Sequence, residues 1–242
     1  MIEYFLQLNH VSQSLIATLF TWGVTALGAS LVFLFKKVNK NIMDAMLGLA
    51  GGVMIAASFW SLLSPAIEMA ENLKMISWIV AFFGFFSGGL FLFIGDKIFD
   101  KLNNKKQITN NKIKRCLMLI FSITLHNIPE GLAIGVAFGS LAYSLDGATI
   151  AAACLLALGI GIQNFPEGAA ISLSMQDSGM KKVESFGFGA ISGIVEPIAA
   201  IITILIASTS TVLLPYLLSF SAGAMIYVTI EELLPEARKG DH

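Results

Sequence analysis

The chain has 242 residues, of which 56% are hydrophobic and 13% are charged, and its mean hydropathy is +0.78. Soluble domains are typically about 45–50% apolar and about 25% charged, so this composition excludes an ordinary soluble enzyme and a disordered chain. The 15 Lys and Arg residues nearly balance the 16 Asp and Glu residues, so no basic surface for a nucleic acid is predicted. The composition instead predicts an integral membrane protein.

Seven apolar runs are long enough to cross about 30 Å of hydrocarbon, which takes roughly 20 helical residues. They cover residues 12–35, 43–66, 76–95, 115–140, 148–175, 184–207 and 212–234. Unpaired backbone cannot face lipid, and no alternating pattern suggests a barrel, so we predict an all-α, polytopic bundle of transmembrane helices. We expect one transmembrane domain over residues 1–242, with Trp22, Trp60 and Trp78 serving only as anchors at the membrane surface.

The basic residues are distributed unevenly between the two sides of the predicted bundle. With the N-terminus outside, fourteen of the 15 Lys and Arg residues fall on the inner side and only Lys74 falls outside, as the positive-inside rule requires. We therefore predict a multi-pass protein of the cell (inner) membrane with residues 235–242 on the cytoplasmic side. The one long loop, residues 100–114, is basic and is predicted to be a solvated cytoplasmic linker.

Two similar segments lie in the fourth and fifth predicted spans. They read His126-Asn-Ile-Pro-Glu-Gly and Gln163-Asn-Phe-Pro-Glu-Gly, and they share the pattern (H/Q)-N-x-P-E-G. At a helical rise of about 1.5 Å per residue, both segments fall near the middle of the bilayer. Glu196, in the sixth span, reaches a similar depth. The repeat and Glu196 together therefore bring carboxylates from three helices to one level of the membrane.

These carboxylates have no fixed counter-charge in the sequence. An ionised side chain at the membrane centre costs at least about 2.5 kcal/mol, and every Lys and Arg lies in a loop or at the end of a span. Residues three and four apart share a helix face, so the polar side chains of each segment converge. Imidazole, carboxylate and amide oxygen are ligands for a divalent first-row metal. Pro129, Pro166 and Pro197 each remove a backbone donor, which predicts local unwinding at this depth.

A stripe of polar and small residues runs along one face of the second span. Its members, at spacings of three and four, are Met54, Ser58, Ser61, Pro65 and Glu68. Alone, the stripe would indicate a seam for helix packing; beside the central carboxylates, it predicts an entrance path for a cation. Glycines at four-residue spacing, Gly48/Gly52 among them, predict close helix packing within the bundle or a homodimer interface.

The segments HNIPEG, GIQNFPEG, SGIVEP and MIYVTIEELLPEA together resemble the ZIP (Zrt-, Irt-like protein) family of metal transporters, in its bacterial GufA-like branch. The similarity covers residues 43–236. It implies transport of Zn²⁺ into the cytoplasm, with Cd²⁺, Fe²⁺ and Mn²⁺ as alternative substrates. The family has eight spans and seven are counted here, so either an eighth helix is missing from this sequence or the protein departs from the family fold, and we expect the former.

The resemblance also implies a two-metal centre and an exit site. For the first metal it implies His126, Glu130, Gln163 and Glu167 together with Met54. For the second it implies Asn127, Asn164 and Glu196, with Glu130 and Glu167 shared. For the exit it implies Glu231 and Glu232. Some relatives carry a carboxylate where Asn164 stands, so we expect the second metal to bind less tightly here.

Two other functions are alternatives to metal transport. An intramembrane metalloprotease needs H-E-x-x-H, whereas His126 is the only histidine within a span, so no catalytic residue and no enzyme are predicted. A carrier or channel for another solute, in which Glu130, Glu167 and Glu196 relay protons, stays open because carboxylates serve both purposes. The neutral amides and the imidazole at helical spacing favour a metal. The predicted partners are therefore divalent metal ions and the lipid bilayer, with no nucleic acid.

Overall fold

The computed structural model describes residues 2–35, 40–105, 111–143 and 149–237, and these residues are almost entirely helical with no strand among them. The helices in chain order are α1 (Ile2–Gln7), α2 (His10–Ala29), α3 (Leu31–Leu34), α4 (Lys40–Ala56), α5 (Ser64–Asn72), α6 (Ser77–Lys105), α7 (Asn111–Gly139), α8 (Ile150–Asp177), α9 (Lys182–Ser192), α10 (Val195–Thr209), α11 (Leu214–Val228) and α12 (Leu234–Ala237). The predicted all-α bundle is confirmed.

Six helical stretches of the described residues are long and apolar enough to cross a membrane. They are His10–Leu34, Asn41–Asn72, Ser77–Ile98, Ile150–Asp177, Lys182–Thr209 and Thr211–Glu231. They correspond to six of the seven predicted spans, and the remaining prediction, residues 115–140, falls on α7, which is helical over 29 residues. The protein is a multi-pass membrane protein.

The predicted loop at residues 100–114 is shorter than expected. Helix α6 continues to Lys105 and α7 begins at Asn111, so both helices extend past their apolar segments into a Lys- and Asn-rich sequence. Lysine is a good helix former, and a helix that is already nucleated gains one backbone hydrogen bond for each added residue. Residues 106–110 lie outside the described part of the chain.

Two spans contain π-helical segments, each ending just before a proline. Residues Ala57–Leu63 lie between α4 and α5, and residues Thr229–Leu233 lie between α11 and α12. Each closes with a backbone bond across five residues, from Ser64 N to Phe59 O and from Leu234 N to Thr229 O. Proline cannot donate to the fourth residue before it and its ring displaces that carbonyl, so the wider π-turn accommodates the following proline.

The sixth span is broken between α9 and α10, as Pro197 predicts. Because Pro197 cannot donate to Gly193 O, Glu196 N donates to it instead, at 3.1 Å. The indole of Trp22 donates to Ala190 O at 2.7 Å. One freed carbonyl is thus satisfied within the span and the other by α2, as lipid cannot satisfy either. The expectation that Trp22 is only a surface anchor is wrong, while Trp60 and Trp78 are 76% and 69% exposed.

The unwinding predicted at the other two prolines is wrong. Helices α7 and α8 continue through Pro129 and Pro166. Each proline removes one bond of the helical ladder, but long helical segments on both sides hold the remaining bonds in place. The carbonyl freed by Pro197 belongs instead to Gly193, and glycine has low helix propensity, so the break forms there.

Glycines set the closest helix contacts, as their spacing predicts. A Cβ on Gly131 would lie 2.3 Å from Glu196 O, and one on Gly168 would lie 2.0 Å from Thr25 O. Helix α7 therefore touches α10, and α8 touches α2, at backbone distance on either side of the central carboxylates. On α4, by contrast, Gly48 and Gly52 meet nothing within 4 Å, so their role in a homodimer stays a prediction.

Candidate metal centre

Three helices bring the predicted motif residues together in the interior of the bundle. Helix α7 supplies the first segment and α8 the second, while Glu196 stands in the first turn of α10, directly after the break. Every one of the seven side chains is fully buried. They are His126, Asn127, Glu130, Gln163, Asn164, Glu167 and Glu196.

Side chains of the two repeated segments contact each other in two pairs. The Nε2 atom of His126 lies 3.0 Å from Glu167 Oε2, and Gln163 Nε2 donates to Glu130 Oε1. The first residue of each segment therefore contacts the glutamate of the other. Ligand atoms of His126, Glu130 and Glu167 all lie within 4.8 Å of one another, which is close enough for one ion to contact all three.

Glu196 accepts a second group of hydrogen bonds, beside the contacts between the two repeated segments. Asn164 Nδ2 donates to Glu196 Oε1 at 2.8 Å, and Thr21 Oγ1 donates to Glu196 Oε2. The remaining amide of the repeat, Asn127, donates through Nδ2 to Ser192 O at 3.0 Å, and this carbonyl lies at the end of α9. The broken sixth span thus contributes a carboxylate and a backbone acceptor.

Sequence reasoning missed Thr21, on the first span. A signal was present, because Ser14, Thr18, Thr21 and Thr25 follow the helical spacing of one face in an otherwise apolar segment, and all four are buried. Thr229 was also missed. Its hydroxyl lies 3.6 Å from the sulfur of Met54.

Six of the seven buried motif side chains carry a buried nitrogen or oxygen with no hydrogen-bond partner. The atoms are His126 Nδ1, Asn127 Oδ1, Glu130 Oε2, Gln163 Oε1, Asn164 Oδ1 and Glu167 Oε1. A polar atom left unsatisfied in the interior costs about 1–3 kcal/mol, and more when it belongs to a charged group. Among the residues whose burial is described, no Lys or Arg is buried. Within the described part of the structure, the cluster therefore has no Lys or Arg to balance its carboxylates.

The predicted path residues lie along α4, the π-helical segment and α5. Met54 and Ser58 are buried, Ser61 is half-buried and Glu68 is exposed, so burial decreases from the interior toward the surface. Ser58 Oγ donates to Met54 O at 2.7 Å. At the other end of the protein, Glu231 is exposed, while the side chain of Glu232 lies outside the described part of the structure.

A multi-pass helical protein whose interior holds acidic, amide and imidazole groups with unsatisfied lone pairs belongs to the class of membrane transporters for cations. Comparison with known proteins identifies the family. The sequence profile of the ZIP zinc transporters matches residues 101–242. The chain belongs to the ZIP family, as the resemblance of its motifs indicates, and this is a family of transporters rather than enzymes.

Individual relatives align along nearly the whole chain. "Zinc transporter ZIP11" of Xenopus tropicalis is 37% identical over 94% of this chain and 90% of its own length. The human protein of the same name is 34% identical, covering 95% of this chain and 91% of its own length. "Zinc transporter GufA" of Myxococcus xanthus is 32% identical, covering 93% and 89%. This level of similarity supports metal transport as the activity.

Proposed function

We propose that this protein carries Zn²⁺ across the cell membrane into the cytoplasm through the buried cluster on α7, α8 and α10. One observation carries the proposal: six buried atoms of the cluster have no partner, and no buried cation of the described residues balances its three carboxylates. A divalent cation would satisfy both needs, since it accepts lone pairs and compensates negative charge.

Two metal positions are proposed within the cluster. The first is formed by His126, Glu130, Gln163 and Glu167, with Met54 completing it. The second is formed by Asn127, Asn164 and Glu196, which share Glu130 and Glu167 with the first. The contacts between α7 and α8 support the first position, and the contact of Asn164 with Glu196 supports the second. A set of nitrogen and oxygen donors suits Zn²⁺.

A metal ion explains the neutral members of the cluster better than a proton relay does. Asn127, Gln163 and Asn164 each leave the side-chain oxygen without a partner while the amide nitrogen is bonded. Amide oxygens are not protonated at neutral pH, so these three would not take part in a chain of carboxylates that passes protons. As ligands for a metal, the same oxygens complete the coordination without adding charge.

The proposed path enters along the second span and leaves at the end of the seventh. Glu68 would attract the hydrated ion, and the hydroxyls of Ser61 and Ser58 would replace its water on the way to Met54. The π-helical segment in this stretch supports such a role, because π-turns are frequent at functional sites. Glu231, with Glu232, would receive the ion at the cytoplasmic end. Because the central ligands are fully buried, an ion bound among them would be enclosed by the protein.

Uptake into liposomes tests the proposal. Purified protein is reconstituted and Zn²⁺ accumulation is compared between wild type and the double variant Glu130→Ala/Glu167→Ala. We expect the double variant to match protein-free liposomes, because both proposed positions lose their shared carboxylates. Asp177→Ala, which removes an exposed carboxylate at the end of α8, is the control and should transport normally. Equal uptake by the double variant and wild type would overturn the proposal.

A further inference from the structure

Thr21 is the one threonine of α2 whose hydroxyl is bonded beyond its own helix. Thr18 Oγ1 donates to Ser14 O at 2.9 Å, and Thr25 Oγ1 donates to Thr21 O at 3.2 Å. These are the ordinary contacts of a threonine within a transmembrane helix. The hydroxyl of Thr21 also lies 3.0 Å from Thr18 O, but it reaches Glu196 Oε2 on α10 as well.

The backbone of Thr21 contacts the same cluster from another direction. Asn164 Nδ2 lies 3.4 Å from Thr21 O and 2.8 Å from Glu196 Oε1. The two hydrogens of this amide thus have two acceptors, one on α2 and one on α10. Since a backbone carbonyl can only accept, this arrangement orients the nitrogen of Asn164 toward Thr21 and leaves Asn164 Oδ1 free.

The packing of α2 against α8 fixes this geometry. A Cβ on Gly28 would lie 2.0 Å from Phe165 O, and one on Gly168 would lie 2.0 Å from Thr25 O. The two helices are therefore at backbone contact immediately beside Asn164, the residue before Phe165. A side chain held between such contacts loses little further freedom when a ligand binds.

A hydroxyl with two acceptors suits a carboxylate that must bind and release an ion. Thr21 carries one hydroxyl hydrogen, which Glu196 Oε2 and Thr18 O are both placed to accept. If an ion occupies Glu196 Oε2, the hydrogen can turn to the carbonyl of Thr18, so that no buried donor is left unsatisfied. Valine has the same shape but lacks the hydroxyl, whereas serine retains it.

We propose that Thr21 is a positioning residue for the second metal position: its hydroxyl orients Glu196 and its carbonyl orients Asn164. This inference rests on the proposed function, because it assigns Glu196 and Asn164 to an ion. Groups that hold metal ligands in place commonly change metal affinity or activity by about 10–100-fold when removed. The first span, which carries none of the repeated motif, would then belong to the transport site.

Cadmium binding to the purified full chain and Zn²⁺ uptake by proteoliposomes test the inference together. We expect Thr21→Val to weaken Cd²⁺ affinity and to lower kcat/KM for Zn²⁺ by about tenfold. Thr21→Ser, which keeps the hydroxyl, should stay within about twofold of wild type in both assays. Thr18→Val is the matched control: it makes the same substitution one turn away at a buried hydroxyl bonded only within α2, and it should also stay within about twofold.

A double-mutant cycle separates positioning from simple packing. In a Glu196→Ala background, Thr21→Val should cause no further loss of Cd²⁺ affinity, because the group it orients is gone. An equal loss with and without Glu196 would overturn the inference, and so would equal behaviour of Thr21→Val and Thr18→Val. Absence of Zn²⁺ uptake by wild type would count against the proposed function alone, since Cd²⁺ binding still reports the coupling between Thr21 and Glu196.

Discussion

The two asparagines of the repeat each present a side-chain oxygen without a partner in the interior of the bundle. Each amide nitrogen donates to a carbonyl on another helix, Asn127 to Ser192 O and Asn164 to Thr21 O. A carbonyl cannot donate, so the reversed amide would lose its partner. The oxygen of each asparagine is therefore the atom without a partner, and in the proposed function each would supply a neutral ligand at a fixed orientation.

Replacing one central carboxylate should distinguish its effect on the stability of the metal-free protein from its role in binding Zn²⁺. Glu130→Gln keeps the shape of the side chain and an oxygen that can accept from Gln163, but it removes one of three buried carboxyl groups, whose negative charges would repel each other when ionised. We expect the metal-free variant to be more stable than wild type, by about 1 kcal/mol or more. Thermal unfolding in detergent, with zinc removed by a chelator, measures this difference.

The same variant should lose its response to zinc. Wild type at a Zn²⁺ concentration 100 times Kd gains about 2.7 kcal/mol from binding, and the variant should gain far less because a shared ligand is missing. Asp177→Asn, an exposed amide substitution on α8, controls for the change in net charge. A metal-free Glu130→Gln that is less stable than wild type, yet stabilised by Zn²⁺ to the same extent, would contradict the account given for Glu130.

How far the sequence predicts the site depends on the type of residue. The motif residues could be found because acids and amides are energetically costly in an apolar span, so their presence there indicates a function. Thr21 and Thr229 could not be assigned in the same way, since a threonine hydroxyl in a transmembrane helix usually bonds to its own backbone. Only the packing of α2 on α10, and of the π-helical segment Thr229–Leu233 on α4, gives these two hydroxyls acceptors elsewhere.

At the scale of helices, glycine contacts hold the carboxylates in register. Gly131 follows Glu130 directly and lies against the backbone of Glu196, so the contact of α7 with α10 fixes the separation of two of the three acids. A Cβ at this position would lie 2.3 Å from Glu196 O and 2.7 Å from its Cα. Neither backbone atom can move without shifting α10.

We therefore expect Gly131→Ala to damage both stability and transport. Overpacking of this kind costs typically about 1–3 kcal/mol, and the displacement of Glu196 should lower Zn²⁺ uptake further than the loss of folded protein explains. Gly187→Ala on α9 is the matched control, because its Cβ would meet nothing within 4 Å. Thermal unfolding and liposome uptake are measured on both. Equal values for the two variants would show that this helix contact does not hold the site.

Helix breaks were harder to predict than helix positions. All three central prolines remove a donor, yet only the span containing Pro197 is interrupted. The residue four positions earlier is Leu125 for Pro129, Ile162 for Pro166 and Gly193 for Pro197. The glycine lowers the cost of leaving the helix, and Trp22 and Asn127 then bond the released carbonyls. That second condition depends on neighbouring helices and cannot be read along the chain.

At the scale of the whole molecule, the apolar pattern predicts the bundle because the bilayer imposes one strong rule on every span. Backbone groups in lipid must be paired within the segment, so length and hydropathy are enough to locate helices. The rule weakens outside the lipid, where α6 and α7 extend into the predicted loop. It also does not specify which helices pair, which follows from contacts such as those of Gly88 with Phe220 and Gly223 with Phe85.

The orientation that the basic residues predict for the protein in the membrane can be tested by labelling. In a Cys116→Ala/Cys154→Ala background, single cysteines are placed at Asn72 in α5 and at Lys181, which precedes α9; both positions are exposed. Asn72 lies in the last turn of α5 and is therefore held by regular helix.

Intact cells are treated with a maleimide that cannot cross the membrane. With the N-terminus outside, Asn72→Cys should react at once, whereas Lys181→Cys should react only after the cells are permeabilised, since the positive-inside rule places the loop with Lys181 and Lys182 in the cytoplasm. The reverse pattern would place Glu68 on the cytoplasmic side. The inward path proposed from Glu68 to Glu231 would then be contradicted, because its entrance would face the cytoplasm.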